Sequence, residues 1–150
     1  MKLLKTLFSV ATMSAVLFAG IFNTSEVKAQ QVKCFDVSSK KGWQYFDLGS
    51  PYTSIASVQG GWTVDYRNYA PVGPQGHNEP GLEPYKQYKY DQNFPFGALF
   101  VDVPTDGYGY VWVRGSQQLP KPITRTSIRI NDSDKSLGDN SGVLRVCFTR

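Results

Sequence analysis

"TRTSIRINDSDKSLGDNSGVLRVCF", Thr124 to Phe148, is two alternating runs joined by a loop crowded with oxygen-bearing side chains. In the second run Leu144, Val146 and Phe148 fall on one face and Val143, Arg145 and Cys147 on the other, the period of two that marks a half-buried strand. β-branched and aromatic residues recur in "GWQYFDL" (42–48), "IASVQGGWTVDY" (55–66), "GALFVDV" (97–103), "GYVWVR" (109–114) and "TRTSIRI" (124–130), punctuated by Gly, Pro, Asn and Asp. No segment after residue 29 carries a convincing helical period. The reading is an all-β domain whose strands are half buried in a sandwich.

The N-terminus has a different character. "MKLLKTLFSVATMSAVLFAGIFNTSEVKAQ" opens with Lys2 and Lys5, runs apolar from Leu7 to Phe22 and ends on Val27-Lys28-Ala29, with small residues where signal peptidase needs them. It predicts a signal peptide over residues 1–29. The competing reading is a membrane anchor, against which stand the short apolar run and its dilution by Ala, Ser, Thr and Gly, since a spanning helix needs ~20 apolar residues. Cleavage leaves residues 30–150 as one secreted or periplasmic domain with no membrane span, long enough for a core of its own.

Loss of Lys2, Lys5, Lys28 and Glu26 takes sixteen basic and twelve acidic residues to thirteen and eleven, so the net charge falls from +4 to +2. The remaining Lys and Arg are scattered, which argues against nucleic acid as a partner. Two cysteines remain, Cys34 in "VKCFDV" and Cys147 in "LRVCFTR". Both sit in β-like runs of an exported chain, so the reading is a structural disulfide between the first strand and the last. A zinc or nucleophilic pair lacks CxxC spacing and has only His77 to draw on.

Residues 68–96, "NYAPVGPQGHNEPGLEPYKQYKYDQNFPF", break the strand rhythm with five prolines and three glycines. A connection this long is functional or disordered. Its six Tyr and Phe rings argue for order, either as a surface that meets a sugar or protein or as a loop packed on its own sandwich. Trp62 and Trp112 read as core, and Tyr108 and Tyr110 as edge aromatics or a stacking platform. An enzyme is not indicated: Glu79 and Glu83, the only glutamates after residue 29, share one loop, and no GxSxG or HExxH motif occurs.

The loop "NDSDKSLGDNSG", residues 131–142, is too long for a simple reversal. An EF-hand needs Gly at position 6 and Glu at position 12, whereas counting from Asp132 those places hold Leu137 and Val143. Two readings stay open, a solvated Asx-rich turn and a β-loop that collects oxygens around a hard cation.

Asn131, Asp132, Ser136, Gly138, Asp139, Asn140, Ser141 and Gly142 resemble, in spacing, the calcium loop of the bacterial galactophilic lectins of the LecA (PA-IL) type. "GGWTVDY", "GPQG" (73–76), "GAL" (97–99) and "YVWV" resemble further landmarks of that family in the same order, from about Gly60 to Val146. The resemblance implies a jelly-roll-like sandwich of two antiparallel sheets, homo-oligomeric in the family. It implies a secreted lectin in which the hydroxyls of a sugar, galactose in the family, complete the shell of a loop-bound Ca²⁺. Asp132 and Asn140 match side-chain calcium ligands and Ser136 a carbonyl donor, Asp139 stands where the family has Asn and keeps a ligand oxygen, and Asp65 falls at the family's sugar- and calcium-contacting Tyr, with Tyr66 one place later. Ser133, Ser136, Asp132 and Asp139, with His77 and Glu79 after "GPQG", are the remaining candidate sugar contacts. The histidine and glutamine that hold galactose in the family have no match in "HNEPGLEP", so the identity of the glycan does not carry over. The alternative is a secreted structural or interaction sandwich in which Ca²⁺ only rigidifies the loop. His77 is either a donor to a sugar hydroxyl or an idle loop residue.

Overall fold

The alternating runs become six strands in the computed structural model, which describes residues 30–104 and 109–150. They are β1 (Val32–Ser38), β2 (Gln44–Thr63), β3 (Leu99–Asp102), β4 (Tyr110–Val113), β5 (Gln117–Ile130) and β6 (Ser141–Thr149). The expected leader, residues 1–29, and Tyr108 lie outside the described residues. Every pairing is antiparallel, in the order β1-β6-β2-β5-β3-β4, so the fold is all-β as read from the sequence.

The two expected layers are the two ends of this one sheet, and β2 is what joins them. It pairs with β5 at Gln44 to Asp47 and again at Tyr52, Ser54 and Ile55, and with β6 from Ser54 to Thr63. The register shifts between Asp47 and Tyr52, where Gly49 takes a φ of 77° that lets the strand bend without ending. Val37, Leu144, Val146 and Phe148 from one end meet Leu99, Val101, Ile128 and Ile130 from the other in a single buried cluster. The alternation read in β6 holds, with Leu144, Val146 and Phe148 fully buried and Val143 and Arg145 exposed. Each such aliphatic or aromatic side chain contributes about 1.5–3 kcal/mol on burial. Cys34 and Cys147 are opposite one another in the β1/β6 ladder and are bonded.

Trp62 is fully buried, and its Nε1 donates to the Gly97 carbonyl at 2.7 Å. Trp112 is not between the layers. It opposes Phe100, whose neighbours Leu99 and Val101 point into the core, so both rings lie on the outer face of the sheet. There Trp112 packs edge-on against Phe94 at 5.6 Å, with the Arg114 guanidinium 4.7 Å from its ring centre.

What covers that outer face is the end of the long 68–96 segment, which is ordered. It contains a nine-residue 3₁₀ segment, Pro80–Tyr88, that the sequence reading did not foresee; Leu82 is its buried anchor. Buried Asn131 fastens the segment to the end of β5. Its Nδ2 donates to the carbonyls of Asp91 (3.0 Å) and Pro95 (2.8 Å), and its Oδ1 accepts from Asp91 N (2.8 Å). No helix among the described residues is long and apolar enough to cross a membrane.

Candidate cation and ligand site

β5 ends at Ile130 and β6 begins at Ser141, so the oxygen-rich loop hangs between two central strands. Its first turn is fixed from beneath. Arg129 Nη2 donates to the Asp132 carbonyl at 2.6 Å and to Asp134 Oδ1 at 2.8 Å, while Ser136 N closes on the Ser133 carbonyl at 2.9 Å. The other wall is the turn after β2, where Tyr66 N donates to the Asp139 carbonyl at 3.0 Å and ties the two loops together.

Two oxygens in this arrangement have no donor. Asp132 is 1 % exposed; its Oδ1 accepts from Ser133 N at 2.9 Å, but its Oδ2 is buried and bare. Asn140 is fully buried, its Nδ2 is committed to the Ser39 carbonyl at 2.9 Å, and its Oδ1 is likewise bare. Asn140 thus keeps an acceptor that no donor meets. Burial pushes the Asp132 carboxyl up to about 7, and the charge of Asp139 adds to the effect; contacts with Asn140, Ser133 and Arg129 only partly oppose it. Two buried oxygens without a donor on one loop, one of them acidic, call for a proton or a cation.

These are hard donors of the kind that suit Ca²⁺ rather than zinc. They do not complete a shell, and no group of three or more His, Cys, Asp or Glu poised for a metal occurs among the described residues. A six- to eight-coordinate ion would draw its remaining ligands from backbone carbonyls, Asn, water or a bound ligand.

Asp132 opens into a cavity of about 690 Å³ that Asp65, Ser136 and Asp139 also line, so four of the residues singled out in the sequence share one site. Tyr69, Tyr85 and Tyr88, together with Lys135, complete its rim. Tyr85 and Tyr88 are half exposed, and both belong to the 3₁₀ segment. Asp65 is turned into its own loop: its carboxylate accepts from Asn68 Nδ2 at 2.6 Å and Arg67 N at 2.9 Å, and its carbonyl from Tyr69 N at 3.0 Å. The Asn68 contact is the main reason its carboxyl lies below the usual range.

Four other candidates fall elsewhere. Tyr66 is exposed and packs its ring under the Arg67 guanidinium, off the cavity wall. Ser133 does not line the cavity; its Oγ pairs with Ser136 Oγ at 2.7 Å. His77 is no exposed loop residue. Its ring is buried, its Nδ1 lies 3.1 Å from Glu79 Oε2, and burial lowers its pKa, which keeps the imidazole neutral. His77 and Glu79 line a separate cavity of about 390 Å³ that shares only Leu82 and Phe96 with the first.

Sequence reasoning missed Ser39, because it lies 101 residues from the Asn140 it orients. It also missed Arg129, which in "SIRI" has the look of an ordinary solvent-facing residue of an alternating strand.

No family model matches the chain, and no curated protein matches it. Among solved structures, one described as the EclA N-terminal domain, a PllA-like lectin, aligns over 78% of this chain and 95% of that chain, at 16% identity and a TM-score of 0.49.

Proposed function

We propose that this is a secreted, calcium-dependent carbohydrate-binding protein, with the ion and the sugar meeting in the cavity at the β5–β6 loop. The observation that carries the reading is the pair of bare, buried oxygens, Asp132 Oδ2 and Asn140 Oδ1, on one loop, with Asp132 at the cavity wall. Asp132 and Asn140 would hold Ca²⁺, with the Ser136 carbonyl and the exposed Asp139 as further donors. When bound, the ion supplies a positive centre able to accept vicinal hydroxyls of a sugar. Tyr69, Tyr85 and Tyr88 offer apolar faces with polar tips, which suits a ligand that is itself an apolar ring edged with hydroxyls. The carboxylate of Asp65 is committed to its own loop, and His77 and Glu79 line the neighbouring cavity, so the glycan class is a matter for experiment.

Calorimetric titration with calcium, followed by a glycan array in calcium and in chelator, tests the reading. The expected result is one calcium per chain and glycan binding that chelator abolishes. Absence of calcium uptake would overturn the site. Calcium uptake with no glycan retained would leave an interaction domain whose loop the ion only stiffens.

A further inference from the structure

Arg129 is a charged side chain only 1 % exposed, and it belongs to neither cavity. Its position follows from the pleat of β5: Ile128 and Ile130 point into the core, so Arg129 points outward, opposite Phe100 of β3. The outer face there is roofed by aromatic rings. The guanidinium carbon lies 3.7 Å from the Tyr90 ring centre and 5.6 Å from that of Trp43, and Trp43 Nε1 donates to the Tyr90 hydroxyl at 3.3 Å. The same guanidinium holds the Asp132 carbonyl, the Asp134 carboxylate and, through Nε at 3.1 Å, the Ile130 carbonyl.

We propose that Arg129 is a positioning residue for the cation site, stacked on Tyr90 with Trp43 packed edge-on beside that ring, a clamp in which its planar fork fixes the Asp132 backbone and thereby aims Asp132 Oδ2. The inference rests on the calcium reading above. Three features carry it. The contact to Asp132 is to the carbonyl, so the carboxylate is left free instead of being neutralised by an arginine next to it. Asp134 balances the buried charge from the solvent side, with its side chain mostly exposed. The aromatic pair restricts the guanidinium plane, which a lysine ammonium in the same place would not reproduce. Trp43 therefore acts on the site from outside it, touching neither the cavity nor the oxygen-rich loop's bare acceptors.

The test is calcium affinity by calorimetry in wild type, Arg129→Lys, Trp43→Leu and Trp43→Phe, read beside thermal unfolding in chelator. Trp43→Leu keeps apolar bulk and loses the ring face, and calcium should bind about three- to tenfold more weakly. Trp43→Phe keeps a face and should recover most of that loss. Arg129→Lys should weaken binding by at least about tenfold, as expected where a fork is replaced by a point charge. Of three tryptophans, Trp43 should carry the calcium-induced change in fluorescence, so that Trp43→Phe removes it. Should Arg129→Lys fail to fold, the Trp43 pair decides alone. Equal calcium affinity in Trp43→Leu and wild type would overturn the clamp while leaving the calcium site standing; no calcium uptake by wild type would overturn both.

Discussion

Asp132→Asn is expected to stabilise the calcium-free protein at alkaline pH while abolishing its cation site. The folded chain holds this carboxyl at about 7 against an ordinary value of 3.8. Each pKa unit is worth about 1.4 kcal/mol, so roughly three units amount to something on the order of 4 kcal/mol. The sign follows from the raised value. The contribution is complete below pH 3.8, where Asp132 is protonated in both states, and erodes as the pH rises, to be gone above about 7. At pH 8 wild type therefore carries an ionised carboxylate with a buried oxygen that no donor meets, whereas an asparagine in its place carries no charge to desolvate. Unfolding in chelator from pH 4 to 8 should give a variant-minus-wild-type stability that starts near zero and climbs by several kcal/mol, on the order of 10 °C in Tm at the alkaline end. Subtraction removes His77, whose lowered pKa acts in the opposite sense, its stabilisation present above the unfolded value of 6.5 and lost as the pH falls. A flat difference curve would refute the reasoning, because it would mean that Asp132 is not a strained carboxylate.

Calcium must displace the proton that Asp132 otherwise keeps, so its affinity should fall about tenfold for each pH unit below about 7. Titrations in two buffers of different ionisation heat would count that proton, and an affinity that is level from pH 5 to 8 would contradict it. Replacing Cys34 and Cys147 together by Ala opens a loop that spans 113 residues and should lower stability by about 4–5 kcal/mol if the chain-entropy account applies. The denaturant midpoint measures this, and an unchanged midpoint would show that the β1/β6 ladder alone fixes the two ends.

The elements most legible in the sequence are those where one face of the sheet is buried and the other wet. In β6 the polar and apolar positions alternate, and both the strand and its faces could be read directly. β2 was divided at "LGSPY", because Gly49, Ser50 and Pro51 have turn chemistry. In the folded chain that chemistry serves a bend within a strand, a distinction that only the partners on β5 and β6 decide. Trp112 was read as core and Arg129 passed over for one shared reason: the outer face of β3, β4 and β5 is roofed by residues 89–96, so parity along the strand no longer separates inside from outside. At the site, Asp132 and Asn140 stood out through the loop's resemblance to a lectin calcium loop. His77 did not reveal its burial, since the Gly- and Pro-rich sequence around it gives no sign that its amide is bonded to Phe96 from the far end of the same loop.

The crowding of acids in the loop has its explanation in how differently the three are placed. Asp134 is paired with Arg129, and Asp139 is exposed, where water screens its charge. Asp132 alone keeps a buried oxygen without a partner, and below about pH 7 a single proton answers its need. A dication gains over that proton only when further oxygens close its shell, and the loop offers few that are fixed in place. On the proposed reading the missing donors include the sugar's own hydroxyls, so the ion and the glycan complete one another's sites. Linkage then requires that each tighten the other by the same factor: a diol ligand at saturation should strengthen calcium binding as much as calcium strengthens the diol, and calcium affinities that are identical with and without a retained glycan would place the sugar somewhere other than on the ion.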